Sequence, residues 1–180
     1  MTAVARRRGM RTLSLFVLAG VLALGHRAHA DELKVGDRVS ELDTAVDTNG
    51  KPFRLKLFKG KWLMLTFGAS WCKPCAKELP AWDKLAPDWK DKVAFVAVDL
   101  DGKTDDGKRF HDKDVKLKNM LRAYLSPDSA VASRYGGDHM PTTVLADPQG
   151  VIRYIRGGFE KGDVDGEVKL MREQLTKLVK

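Results

Sequence analysis

Trp62-Leu-Met-Leu-Thr-Phe67-Gly-Ala-Ser-Trp71-Cys72-Lys73-Pro74-Cys75-Ala-Lys-Glu78-Leu79 decides how the chain folds. Residues 62–67 are almost continuously apolar, the composition of a strand buried on both faces as in a parallel sheet covered by helices. Beyond the two cysteines, Cys75, Leu79, Trp82 and Ala86 recur at three- and four-residue steps with Pro87 past the end, which predicts an amphipathic helix. A second apolar run, Val93–Val98, follows. Strand, helix and strand make a right-handed crossover.

The chemistry sits where the strand gives way to the helix. Amide N–H groups of a first helical turn and the helix dipole favour a thiolate on the first of two such cysteines, so Cys72 is the expected nucleophile. Cys75, one turn later and shielded by the helix, would attack a mixed disulfide on Cys72 and release the reduced partner. Pro74 fits the first turn, where a missing N–H costs nothing. Other readings stay open on spacing alone. Half of a zinc site would need His111 and His139 to converge on the pair, since the chain has only two cysteines. Haem attachment needs a histidine after Cys75, where Ala76 stands. A purely structural bridge would close so small a loop that it would stabilise the fold little.

Working outward, Asn49-Gly50 suggests a hairpin turn before the first strand. Thr142–Ala146 and Val151–Arg156 flank Asp147-Pro148-Gln149-Gly150, a type I turn signature, and predict an antiparallel hairpin. Val164, Val168, Met171, Leu175 and Leu178 predict a C-terminal helix. The polar stretch between predicts a helix within 104–117 and a strand near Met120–Leu125. With 180 residues, 43% hydrophobic and 31% charged, the composition is that of one globular domain.

The net charge of +8 does not point to nucleic acid, because residues 1–30 hold five arginines and no acid, leaving +3 on residues 31–180. Those thirty residues read as an export signal: Arg6, Arg7, Arg8 and Arg11, an apolar run from Leu13 to Leu24, then Ala28-His29-Ala30 as a cleavage site. Twelve apolar residues cover roughly 18 Å as helix, short of the ~30 Å of a bilayer core, so an uncleaved anchor is the weaker reading. The expected organisation is a signal peptide over 1–30 and one domain over 31–180.

Phe67-Gly-Ala-Ser-Trp-Cys-Lys-Pro-Cys75 with Lys59-Gly60-Lys61 before it, Glu78 and Pro80 after it, Tyr135-Gly136, and Met140-Pro141-Thr142-Thr143 resemble the thioredoxin superfamily, more closely its exported TlpA/ResA-like thiol-disulfide oxidoreductases. The resemblance spans most of residues 31–180. It implies an α/β thioredoxin-like fold: a central mixed sheet flanked by helices, with an N-terminal hairpin and a strand-helix insertion that accounts for the long separation of Cys72 from Pro141. It also implies a cis proline at Pro141 facing the cysteines, so that Met140 presents its backbone to substrate. Trp71, Lys73 and Pro74 join Met140 and Pro141 as expected substrate-contacting residues. Where many thioredoxins have a buried acid on the first strand, this chain has Thr66. Glu78 stands where the TlpA/ResA-like branch often carries an acid, either as a proton acceptor for Cys75 or as a solvated acid matched to the helix dipole. Gly68 replaces an aromatic residue of the family, which suggests a roomier groove.

The resemblance implies an exported oxidoreductase that reduces protein disulfides, with cytochrome c apoproteins or copper-site proteins as candidate substrates, a membrane electron donor as partner, and no cofactor or resident metal. Alternatives are a copper-delivery protein using His139 with both cysteines, a closed non-catalytic bridge, and a protein disulfide oxidant. Asp99, at the end of a central strand, could line the site.

Overall fold

The computed structural model describes residues 32–126, 129–136, 139–160 and 162–180. The expected export signal over residues 1–30 therefore lies outside the described residues. Five strands form one mixed sheet in the order β3-β2-β1-β4-β5: β1 (Trp62–Gly68), β2 (Val93–Asp99), β3 (Leu121–Tyr124), β4 (Thr142–Ala146) and β5 (Ile152–Gly157). β1, β2 and β3 run parallel, whereas β4 is antiparallel to β1 and β5 to β4. The helices are α1 (Cys75–Leu85), α2 (Thr104–Arg109), α3 (Ala130–Arg134) and α4 (Val164–Leu178), with a π-helical turn at Phe110–Asp114 continuing α2. This is the thioredoxin-like arrangement, with α2, the π-helical turn and β3 inserted between β2 and β4.

Why β1 reads as an unbroken apolar run is plain from its two covers. Met64 packs with Leu79, Trp82, Met171 and Leu175 of α1 and α4. Leu63, Leu65 and Phe67 face the other way, against Leu33, Leu42, Phe53 and Leu55. That second cover differs from the expected helical layer. Much of it is the irregular N-terminal segment, joined by α3 through Ala132 and by Tyr135, whose ring stacks on Phe67 at 4.8 Å. The Asn49-Gly50 turn forms, with Asp47 accepting from the N–H groups of Asn49 and Lys51, but its arms meet only through a Val46–Pro52 bridge. Asp147 organises the β4–β5 turn by accepting from Gln149 and Val151. Asp163 caps α4 through the Gly166 N–H at 2.8 Å.

Candidate active site

β1 ends at Gly68, paired with Asp99 of β2, and the chain reaches α1 through Ala69–Pro74. Asp101, just past β2, holds this loop by accepting from both Ser70 N and Ser70 Oγ, the latter at 2.6 Å. Two residues on, Cys72 is joined to Cys75 by a disulfide with Cα atoms 5.3 Å apart. The two sulfurs are not equivalent. Cys72 lies just before the helix, 5% exposed, and its Sγ accepts the Cys75 N–H at 3.3 Å; Cys75 is the first residue of α1 and fully buried. A backbone donor on Cys72 Sγ stabilises a thiolate there, and a buried Cys75 has no such aqueous support. Trp71, 65% exposed, stands beside the pair, as do exposed Lys73 and half-buried Pro74.

Gly68 fits Cys75 closely. A Cβ on Gly68 would lie 3.2 Å from Cys75 Cβ and 3.3 Å from its sulfur. The missing side chain therefore lets the strand end press on the buried cysteine; the space beside it is filled by Cys75 and Leu79 and is not an open groove.

Below Cys75 is a buried polar row. Strand alternation puts Thr66 on the same face of β1 as Met64 and Gly68, toward α1. Thr66 Oγ1 lies 3.0 Å from Oγ1 of Thr143, its partner on β4, and Thr143 Oγ1 donates to Glu78 Oε1 at 3.1 Å. Glu78 is on α1, one turn beyond Cys75, and is completely buried. The solvated-acid reading of this residue is therefore incorrect. Burial pushes its carboxyl up to about 8, against smaller opposing effects of Trp82, Thr143 and Arg156. Such a group holds its proton at neutral pH and titrates near a thiol, the match that proton exchange needs.

The Met140–Pro141 peptide bond is cis. Thr142 pairs with Phe67, so Pro141 falls beside Gly68, at the strand end that leads to the cysteines. Pro141 is buried, Met140 half-buried and His139 exposed. Among the described residues no group of three or more His, Cys, Asp or Glu side chains is arranged to hold a metal ion. His111 is fully buried, with Asp99 as its nearest acid.

Asp99 does more than start a loop. It is 1% exposed, its Oδ2 lies 3.7 Å from His111 Nε2, and its Oδ1 accepts the N–H of Asp101, the residue that anchors Ser70. Burial drives both groups toward neutrality, Asp99 up to about 8 and His111 down to about 4. Neither this pair nor the partnership of Glu78 with Thr143 is visible in local spacing. The Thr142-Thr143 doublet after Pro141 was the available sign of the latter.

Comparison with known proteins agrees with this geometry. The AhpC/TSA family pattern matches residues 35–155. The thiol-disulfide oxidoreductase ResA of Bacillus cereus (strain ATCC 10987 / NRS 248) is 29% identical, over 88% of this chain and 93% of its own. ResA of Bacillus subtilis (strain 168) is 28% identical over 93% and 94%. A Chlorobium tepidum crystal structure, assigned as a thiol:disulfide interchange protein DsbE, superposes with a TM-score of 0.67 at 27% identity, covering 80% of this chain and 99% of its own. No helix among the described residues is long and apolar enough to cross a membrane. With its fold, its Cys72–Cys75 disulfide and these relatives in agreement, the chain belongs to the AhpC/TSA family and is a thioredoxin-like thiol-disulfide oxidoreductase.

Proposed function

We propose that this oxidoreductase is exported and reduces protein disulfides, with Cys72 as nucleophile, Cys75 as resolving thiol and Glu78 as proton carrier. The Cys72 thiolate attacks one sulfur of a substrate disulfide, forming a mixed disulfide and expelling the first substrate thiolate. In the minority of molecules in which Glu78 is ionised at neutral pH, its carboxylate takes the proton of Cys75, whose thiolate attacks Cys72 Sγ, expels the second substrate thiolate and closes Cys72–Cys75. Two electrons have then passed to the substrate. A donor dithiol, expected on the membrane, restores them: one of its thiolates attacks Cys72, Cys75 leaves as thiolate and takes the proton back from Glu78, and the donor's second thiolate then attacks the mixed disulfide, freeing Cys72 as thiolate and closing the donor's own disulfide.

The buried carboxyl of Glu78, one helical turn from the buried sulfur of Cys75, carries this reading. Trp71, Lys73 and Pro74 flank the nucleophile, and Met140, before the cis Pro141, offers backbone hydrogen bonds to an extended substrate segment. Cytochrome c apoproteins and oxidised copper-site proteins are candidate substrates, drawn from the family resemblance. Export rests on the arginine-led apolar segment ending at Ala30. The test is capture in the native cell. Cys75→Ser should accumulate reductant-sensitive adducts with substrate proteins, all lost in Cys72→Ser. Adducts that form on Cys75 in Cys72→Ser, and not the reverse, would overturn the division of roles.

A further inference from the structure

The polar row that holds Glu78 continues past Thr143. In the β4–β5 register Thr143 stands directly across from Arg156, as Leu145 does from Tyr154. Directly opposed residues of an antiparallel pair share a face, and Leu145 and Tyr154 pack with α1 and α4. Arg156 therefore projects to the same side of the sheet as Glu78. Its guanidinium pairs with Glu167, in the first turn of α4. Glu167 is buried, its Oε1 also accepting from Glu160 N at 3.3 Å and its Oε2 without a hydrogen-bond partner among the described residues, while the Arg156 side chain keeps 24% exposure. One row beneath the disulfide thus runs from Thr66 through Thr143 to Arg156, overlaid by Glu78 from α1 and Glu167 from α4, and it opens toward water at its arginine end.

We infer that Arg156 and Glu167 are positioning residues for the redox reaction, acting with opposite sign on how readily Glu78 gives and takes its proton. The inference rests on the reading of Glu78 as the proton carrier for Cys75. A buried ion pair is a weak source of stability, since apolar residues of similar volume often fill such a space as well or better. Its placement beside a titrating carboxyl gives it a different use. The groups that bear on Glu78 are Cys75 and Trp82 on its own helix, Thr66 from β1, Thr143 from β4, Arg156 from β5 and Glu167 from α4. Among the charged ones, Arg156 favours the carboxylate and Glu167 opposes it, both subordinate to burial. Tyr154 also bears on Arg156.

The test follows the Glu78 carboxyl by carbon NMR across pH in the oxidised protein, its resonance identified by loss in Glu78→Gln. The midpoint should rise in Arg156→Met and fall in Glu167→Gln, each by roughly half a unit to one unit, and return to within a few tenths in the double variant. Arg156→Lys should restore most of the shift. The pH dependence of insulin disulfide reduction should move in the same two directions. A merely structural pair would give midpoints that stay put or move together, which would overturn the inference. Should Arg156→Met fail to fold, Glu167→Gln still reports the sign, because the partner it strands is partly exposed. If Glu78→Gln reduces insulin as fast as the parent at every pH, the proton-carrier reading fails and takes the role of the pair with it. If Glu78→Gln is slow but the midpoints do not move, the inference about the pair fails alone.

Discussion

Thr143 Oγ1 donates to Glu78 Oε1 at 3.1 Å, while Glu78 Oε2 has no hydrogen-bond partner among the described residues. One neutral donor does not replace the hydration lost on burial, so the protonated form is preferred in the folded state. The disulfide is thereby set over an acid that stays loaded at neutral pH.

Loading has a signature in stability. Glu78 titrates near 4.5 when exposed and near 8 when folded, so its contribution is complete below about 4.5 and is lost as pH rises toward 8. Glu78→Gln should flatten that decline by on the order of a few kcal/mol between pH 5 and 8, as read from urea unfolding of the oxidised protein. Part of the slope should remain, because Asp99 is raised in the same direction. Parallel stability curves for parent and variant would show that Glu78 is ionised in the fold.

The asymmetry between the sulfurs predicts alkylation rates. At pH 7, Cys75→Ser should react with iodoacetamide at least about tenfold faster than Cys72→Ser, since only Cys72 receives the N–H donor and approaches solvent. Faster reaction at Cys75 would reverse the assignment.

Gly107 predicts a departure from helix propensity. Alanine inside a helix ordinarily gains about 1 kcal/mol over glycine. Here a Cβ would overlap the Asp99 carboxylate, lying 2.5 Å from its Cγ, and Asp99 is held by the Asp101 N–H. Gly107→Ala should therefore cost about 1–3 kcal/mol, and less in an Asp99→Ala background. Thermal or urea unfolding of the four proteins checks this, and additive effects would contradict the contact.

Legibility followed the range of the interactions. The β1 and β2 strands were readable because burial on both faces leaves a continuous apolar run, and α4 because one apolar face repeats every three or four residues. The second cover of β1 was not. Leu33, Leu42 and Phe53 reach it from a segment without periodicity, so nothing local signals their burial. At the site, Cys72, Cys75 and Glu78 share one short stretch and could be singled out together. The burial of Glu78, however, depends on β4 supplying Thr143, and Arg156 joins only through the β4–β5 register. Asp99 and His111 meet because the π-helical turn carries His111 beneath β2 and β3, a geometry that residue spacing does not encode.

Export predicts a processed N-terminus. Protein recovered from the native cell should begin at Asp31, by N-terminal sequencing, because the apolar segment is short and ends in Ala28-His29-Ala30. Membrane-bound protein beginning at Met1 or Thr2 would show an anchor instead.

Direction of electron flow is the central claim, and the equilibrium potential of the Cys72–Cys75 couple tests it most directly. Strong oxidants owe their potential to a greatly stabilised nucleophilic thiolate, with a cysteine pKa of about 3.5 against about 7 in thioredoxin. Here the residue before Cys75 is Pro74, which offers no charge or donor, and Lys73 is exposed, so water and salt weaken its effect on Cys72. Equilibration in glutathione or dithiothreitol buffers, with free thiols trapped, should give a potential below about −200 mV, as suits a reductant of protein disulfides. A value near −120 mV would make the protein a disulfide donor and contradict the account.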